Sequence, residues 1–513
     1  MRYHKKAQKE NALSLSLEDN LTKLQEAVKK RSDVVIRLFK DPETSKKQFA
    51  LVYIEGLVDV TKINEALIPP LLMNLTHSLS NSESRFTAVQ NCANGTGSSM
   101  VLEDIESIWK QVLLGNTVIL SERLDKAISA NTTGGEGRSI QEPTTQNVIR
   151  GPKEAFTESL QTNISLIIRR LKSQHLRIQN RVMGTQTQTA VSVLYLEGIA
   201  DQGVVEEIHK RLDQIETDGI LESGYIEELI TDAALSPFPT IFNTERPDTV
   251  TAGLLEGEVA IIVDGSPFVL LAPVTFFNFF DSSEDYYQRF YIATFWRILR
   301  YGSFFVSLLL PALYIAVTTY HQEMIPTTLL VSLVAQREGV PLPALVEALM
   351  MEITFEVLRE AGIRMPKAIG AAISIVGALV LGQAAVEAGL ISAAMVIVVS
   401  FTAISNFVIP SNTISVTIGL IRFALMILAG TLGLYGVMTG LMILCIHLAS
   451  LRSFGVPYLM PVAPLVWKNL KDVFVRSPLW SMNTRPEGIS KSNTVRQKKS
   501  LRPKPPKPNE GKE

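Results

Sequence analysis

The chain has 513 residues, a formal net charge of −1 and 19% charged residues, totals that would suit an ordinary globular protein of two or three domains. Its two cysteines, Cys92 and Cys445, exclude a disulfide framework and a cysteine-based metal site. From Ala368 to Ser450, however, the only formally charged residues are Glu387 and Arg422. A hydrocarbon core takes about 20 apolar residues per helical crossing, and no water-soluble core hides so long an uncharged run. A soluble head joined to a multi-span membrane body is therefore expected.

Residues 1–34 read as a polar N-terminal extension; Met1–Glu10 is basic with no apolar run behind it, so no cleavable signal peptide is expected. The head then contains an internal repeat. Tyr53-Ile54-Glu55-Gly56-Leu57-Val58-Asp59 is echoed by Tyr195-Leu196-Glu197-Gly198-Ile199-Ala200-Asp201, an offset of 142 residues (198 − 56). Gly115–Leu120 is echoed by Gly257–Ile262 at the same offset. Each copy opens with a β-rich run, Phe49–Ile54 or Ala190–Leu196, that stops at Glu-Gly. Helical patterns follow at Ile63–Leu72 and Val204–Ile215, and each copy closes on a strand beginning at Thr117 or Val259. Asp264-Gly265 between two apolar runs predicts a β-hairpin. The fold class is thus an α/β head of two repeated subdomains, 35–150 and 151–290, with a polar connector at Gly134–Pro152. An all-α membrane domain over residues 291–465 follows.

In that domain a first span covers about 301–320, and Arg289, Arg297 and Arg300 before it place the head in the cytoplasm by the positive-inside tendency. Residues 326–364 read as an amphipathic, non-spanning segment, because Pro341-Leu342-Pro343 breaks it and Glu347, Glu352 and Glu356 interrupt the apolar pattern. Further spans are expected at 368–388, at 391–409 and, once or twice, within 413–451, where Gly430, Gly433 and Gly436 supply breaks. From Leu451 onward 13 Lys/Arg stand against 4 Asp/Glu, so the tail is also expected in the cytoplasm and the span number even, four or six. Residues 466–513 form a basic tail, expected to be disordered from about 486.

Glu387 is the sharpest single candidate, since an ionisable group in a span faces a cavity, a pore or a partner. Helical spacing puts Val376, Val380, Gln383 and Glu387 on one face, a mixed polar and apolar lining suited to a gated cation pore. Gly370, Ser374 and Gly377 lie on a neighbouring face, where small residues let helices approach. Two other readings stay open: Glu387 snorkels to the interface, or it pairs with Arg422, itself a candidate headgroup anchor. Ser374, Gln383, Thr402, Ser405 and Asn406 either line a polar path or bridge helices. Gly95-Thr96-Gly97 and Gly134-Gly135-Glu136-Gly137 lack the Lys-Ser/Thr of a phosphate loop, and the six histidines have no metal-ligand spacing. No enzyme activity, cofactor, metal or nucleic-acid partner is expected.

Several strings in one order resemble the GerA-type spore germination receptor A subunits. In the head they are Glu142-Pro143-Thr144-Thr145, Arg150-Gly151-Pro152-Lys153, Ser236-Pro237-Phe238-Pro239, Asn243-Thr244-Glu245-Arg246-Pro247-Asp248, Ser266-Pro267-Phe268-Val269 and Asp285-Tyr286-Tyr287. In the membrane half they are Glu347–Glu352, Leu358–Gly362, Gly382–Ala388 and Leu432–Gly436. The resemblance implies a nutrient-receptor subunit of the spore inner membrane that works with a transporter-like B subunit and a lipoprotein C subunit. It further implies ring homo-oligomers forming a ligand-gated ion channel. A membrane-anchored scaffold or signalling subunit, and a paralogous spore protein of ion or dipicolinate release, remain as alternatives. A secondary transporter is disfavoured, because no inverted halves are visible in the membrane portion.

Overall fold

The computed structural model describes residues 12–28, 31–40, 47–76, 82–134, 142–364, 382–490 and 493–497. The chain divides into two compact units, residues 1–231, 241–273 and 485–496 in the first, and 232–240, 274–484 and 497–513 in the second.

The first unit holds two five-stranded antiparallel sheets of the same strand order. One runs β1 (Val34–Lys40), β2 (Lys47–Ile54), β4 (Thr117–Ser121), β5 (Ala127–Ala130), β3 (Ser99–Leu102). The other runs β6 (Leu176–Met183), β7 (Thr189–Leu196), β9 (Val259–Val263), β10 (Val269–Ala272), β8 (Phe242–Thr244). Each central strand reads as a continuous apolar run because helices cover the sheet: Phe49, Leu51 and Tyr53 of β2 pack with Ile63, Leu67 and Leu71 on the helical segment that follows it. The repeat expected from sequence is present in the backbone, down to the glycines that stop β2 and β7; Gly56 and Gly198 have φ of 83° and 81°. The hairpin at Asp264-Gly265 also forms, pairing β9 with β10.

The repeat begins earlier than the sequence suggested. Residues 12–28 are no polar extension but the opening of the first copy, because Leu17, Leu21 and Leu24 fall on one face of helix α1 (Leu17–Val28) and are buried. Its counterpart is α5 (Leu160–Arg170), and both are entered through the same asparagine pincer. Asn20 Oδ1 accepts from the Ser14 amide at 2.8 Å while its Nδ2 donates to the Ser14 carbonyl at 2.6 Å. Asn163 holds residue 157 likewise, at 2.7 and 2.6 Å. The remaining head helices are α2 (Ile68–Thr76), α3 (Ser82–Asn94), α4 (Ile105–Leu113), α6 (Gln202–Asp213), α7 (Ser223–Ile230) and α8 (Pro247–Glu256). Residues 485–490 and 493–496, expected to be disordered, instead belong to this unit: Arg485 donates to the Leu255 carbonyl at 2.8 Å, Ser490 to that of Ile199 at 2.8 Å, and Ile489 is buried.

The second unit is helical: α9 (Glu284–Tyr287), α10 (Phe290–Thr319), α11 (Thr327–Arg337), α12 (Ala344–Arg364), α13 (Gly382–Glu387), α14 (Ala393–Phe407) and α15 (Asn412–Ser450). By length and composition α10 and α15 are apolar enough to cross a membrane, and α14 is a shorter apolar helix. Two boundaries differ from expectation. α10 starts about three turns before residue 301, and α12 is no surface helix, because Glu347 and Glu352 point into the unit and are buried. Residues 232–240, read as part of the second subdomain, serve the helical unit. Thr417 Oγ1 donates to the Pro237 carbonyl at 2.6 Å, Tyr458 Oη to that of Pro239 at 2.7 Å, and Ser236 shares a 2.8 Å hydrogen bond with His447.

α15 is a hairpin of two helical arms, 412–432 and 434–450, folded at Gly433, where φ is 64° and ψ −143°. A straight helix would hold Leu425 and Gly440 about 22 Å apart. Here a Cβ on Gly440 would stand 2.5 Å from Leu425, and one on Gly436 would strike the Leu428 carbonyl. Tyr320 at the end of α10 fastens the bend by donating to the Gly430 and Thr431 carbonyls at 2.9 and 3.1 Å. Gly433→Ala should therefore cost about 1–3 kcal/mol and lower the melting temperature of the detergent-purified chain. Gly302→Ala, which meets open space, should not. Equal melting of both variants would show that the bend tolerates a side chain.

Candidate functional site

The helical unit buries several of its charges. Arg297, on the second turn of α10, is fully buried and meets three carboxylates: Asp285 at 3.0 Å, Asp472 at 2.8 Å and Asp281 at 3.1 Å. Arg300 adds a 2.7 Å pair to Asp285, and Tyr286 donates to Asp472 at 2.8 Å. The node ties the aromatic segment Phe276–Phe280, the α10 entry and residue 472 together. The sequence read Arg297 and Arg300 as a positive-inside signal before the first span; the available signal for their pairing was Asp281 and Asp285, within 19 residues of them.

Deeper in the unit, Glu352 of α12 pairs with Arg422 of α15 at 2.8 Å, each side chain 1% exposed. Arg422 also donates from Nη1 to the Ser307 carbonyl and hydroxyl, both at 3.2 Å. Ser307 in turn donates to Asn406 at 3.3 Å, so the pair is anchored on α10 and α14 as well. Five residues before Glu352, Glu347 accepts from the Ser392 amide at 2.6 Å and from its hydroxyl at 2.5 Å. Ser392 is the N-cap of α14, so Glu347 places its negative charge where the helix dipole is positive.

These positions revise the sequence-derived site. Arg422 is an internal charge partner, but of Glu352 and not of Glu387. Gln383 and Glu387 are exposed on α13 and bonded to each other, Gln383 Nε2 donating to Glu387 Oε1 at 2.9 Å. Gly370, Ser374, Val376, Gly377 and Val380 lie outside the described residues. Thr402, Ser405 and Asn406 are buried, and Asn406 bridges helices through Ser307. Among the described residues no three His, Cys, Asp or Glu side chains gather as metal ligands.

In the head, three of the quoted strings meet at one node. Glu245, buried between β8 and α8, accepts from the Thr145 amide (2.5 Å), the Thr145 and Thr144 hydroxyls (2.8 and 3.2 Å) and the Gln146 amide (3.1 Å). Arg246 next to it pairs with Asp248 at 2.8 Å and donates to the carbonyls of Gln146 (3.2 Å) and Pro152 (3.1 Å). Asn243–Asp248 is thus a clamp on the connector. Burial pushes the Glu245 carboxyl up, but the donors from Thr145, Thr144 and Gln146 outweigh it and its pKa lies below the ordinary value.

A duplicated α/β head followed by a helical unit with two helices apolar enough to cross a membrane defines a membrane-associated protein. The GerA family of Bacillus and Clostridium spore germination proteins matches residues 22–488. Spore germination protein KA of Bacillus subtilis strain 168 is 49% identical over 496 residues, 96% of this chain and 90% of that one. The uncharacterized membrane protein YfkQ of the same organism is 45% identical over 493 residues, 96% of this chain and 95% of that one. The crystal structure of the N-terminal domain of the A subunit of the Bacillus megaterium spore germinant receptor GerK3 is 36% identical, with a TM-score of 0.42, covering 52% of this chain and 97% of that one. The chain belongs to the GerA family of spore germination proteins.

Two outcomes test the networks. Arg422→Met leaves Glu352 buried without a counter-charge and should cost about 3–5 kcal/mol, read as a fall in melting temperature. The double variant Glu352→Leu/Arg422→Met should recover most of that loss, and additive damage would refute the pairing. In the head, Glu245 has a folded-state pKa below its unfolded one, so the clamp contributes fully above the ordinary glutamate range and is lost as pH falls through the lower folded value. Proteolytic cutting within 142–153 should stay slow at about pH 6 and rise at about pH 3, whereas Glu245→Ala should be cut readily at both.

Proposed function

We propose that this chain is the A-type subunit of a nutrient-responsive spore germinant receptor, set in the spore inner membrane with head and tail in the cytoplasm. Copies of it form a ring around a gated cation path and work with a transporter-like B subunit and a lipoprotein C subunit. The Glu352–Arg422 pair carries this reading. An ion pair buried among helices that show Phe305, Ile404, Phe407 and Leu420 to their surroundings is the arrangement of a lipid-embedded bundle with a polar interior.

Helix geometry supports the same reading. The first arm of α15 is about 31 Å long, the thickness of a hydrocarbon core. Tyr320 meets the α15 bend while Ser307 meets Arg422 midway, so α10 and the first arm run in parallel and the second arm returns. α14 runs against α10, its start near Glu347 and its end near Ser307. α12 begins beside Ser392 and reaches Arg422 within two turns, so it descends through the same layer. The sequence assigns the stretch before Ser392 to a further span, the pore helix 368–388. With α10, α14 and both arms of α15, the count becomes six crossings, the even number that keeps head and tail on one side.

On this reading Val376 and Val380 form the gate of the pore-lining helix, with Gln383 and Glu387 at its mouth. Cation release from spores, with and without nutrient, is the test at matched protein levels. Val380→Ala should release cations without nutrient, Leu379→Ala on the other side of the helix should not, and Glu387→Gln should change cation preference. If neither alanine variant leaks and both spores germinate normally, the chain is a scaffold and not the conduction path.

A further inference from the structure

α12 buries two carboxylates completely, Glu347 at 0% and Glu352 at 1% exposure. Only Glu352 has a guanidinium. Among the described residues no basic side chain pairs with Glu347, whose Oε1 takes both donors of Ser392 while its Oε2 is buried without a partner. The hydroxyl of Tyr314 on α10 is likewise buried with no hydrogen-bond partner, and Glu347 and Ser392 bear on it electrostatically. Of the charged groups around them, Glu352 holds Arg422, and Arg337 of α11 bears on Tyr314.

A carboxylate sealed in a low-dielectric interior costs several kcal/mol unless a positive charge meets it. The N-terminus of α14 supplies only about half an elementary charge, and to one oxygen. The three convergent groups are all oxygens, the donor set of hard cations. One carboxylate with two neutral hydroxyls balances a single positive charge, whereas a divalent ion would leave a net charge buried.

We propose that Glu347 Oε2, Tyr314 Oη and Ser392 Oγ form a binding site for a monovalent alkali cation inside each subunit, at the junction of α10, α12 and α14. The proposal rests on the reading that the helical unit handles cations, but it is a binding statement that needs no conduction. It places a cation station within the subunit, built from residues other than the pore candidates Val376, Val380, Gln383 and Glu387.

The test is thermal unfolding of the detergent-purified full-length chain in potassium chloride against choline chloride at equal ionic strength, near neutral pH. Potassium should raise the melting temperature of the wild type, and Glu347→Gln, which keeps an acceptor for Ser392, should abolish that rise. Tyr314→Phe should keep it while moving its midpoint to roughly tenfold higher potassium. No potassium-specific rise in the wild type, or an equal rise in Glu347→Gln, would overturn the site. So would a wild type indifferent to potassium whose stability varies with pH in a way that Glu347→Gln removes, since the charge meeting Glu347 would then be a proton. Failure of the channel reading shows separately, in spore cation release from Val380→Ala.

Discussion

A charge taken out of water has to be met inside, and in the helical unit this requirement decides where the helices lie. Arg422 sits in the first arm of α15 among Ile414, Ile418, Leu425 and Met426, where nothing on its own helix neutralises it. Glu352 supplies the counter-charge, and to do so α12 must lie in the bundle with its acidic side inward. Ser307 then accepts from Arg422 Nη1 and donates to Asn406, which draws α10 and α14 to the same level. Apolar packing alone leaves such helices free to slide and rotate; a buried ion pair anchored through Ser307 and Asn406 fixes their register. Arg297 does the same at the α10 entry with three aspartates.

The head was far more legible in the sequence than the helical unit. Two strings at one offset were enough to find the duplication, because strand stops and helix starts depend on local chemistry: a glycine at φ near 80°, a β-branched run, an apolar spacing. α1 was missed because its three buried leucines are separated by charged residues and its partner surface lies about 100 residues away, in the Glu122 carboxylate that caps Leu17 at 2.9 Å. In the helical unit the single charges Glu387 and Arg422 stood out, yet the partner that matters, Glu352, lay in a segment whose acidity suggested a surface. A carboxylate at helical spacing looks the same whether it faces water or an arginine 70 residues on. The sequence pattern carries no distance between helices, so pairing across the bundle was not readable from it.

The helix breaks were readable for the opposite reason. Gly430, Gly433 and Gly436 mark a bend because a tight helical hairpin needs a residue with positive φ and others that let backbone approach backbone. What the glycines did not reveal was the clasp: Tyr320 closes the bend with its hydroxyl from the end of α10, a contact between elements 110 residues apart.

The duplicated head shows how one backbone plan can take on two tasks. Asp104 and Arg246 stand at equivalent places, each immediately before the helix that follows strand β3 or β8. Asp104 turns inward on its own helix and caps α4 by accepting from the Ser107 amide at 2.6 Å. At the second position the helix supplies its own acceptor: the Thr249 amide, equivalent to that of Ser107, donates to Asp248 Oδ1 at 3.0 Å. That releases the side chain before it, and Arg246 reaches out to the Gln146 and Pro152 carbonyls instead. The neighbouring glutamates diverge in the same way, Glu103 spending its charge on Lys126 at the surface and Glu245 on the amides of the connector. The connector is rich in Gly, Thr and Gln, and its Ile149 is exposed, so the polar clamp of the second copy is what holds residues 142–152 against the head. The first copy keeps an ordinary helix cap.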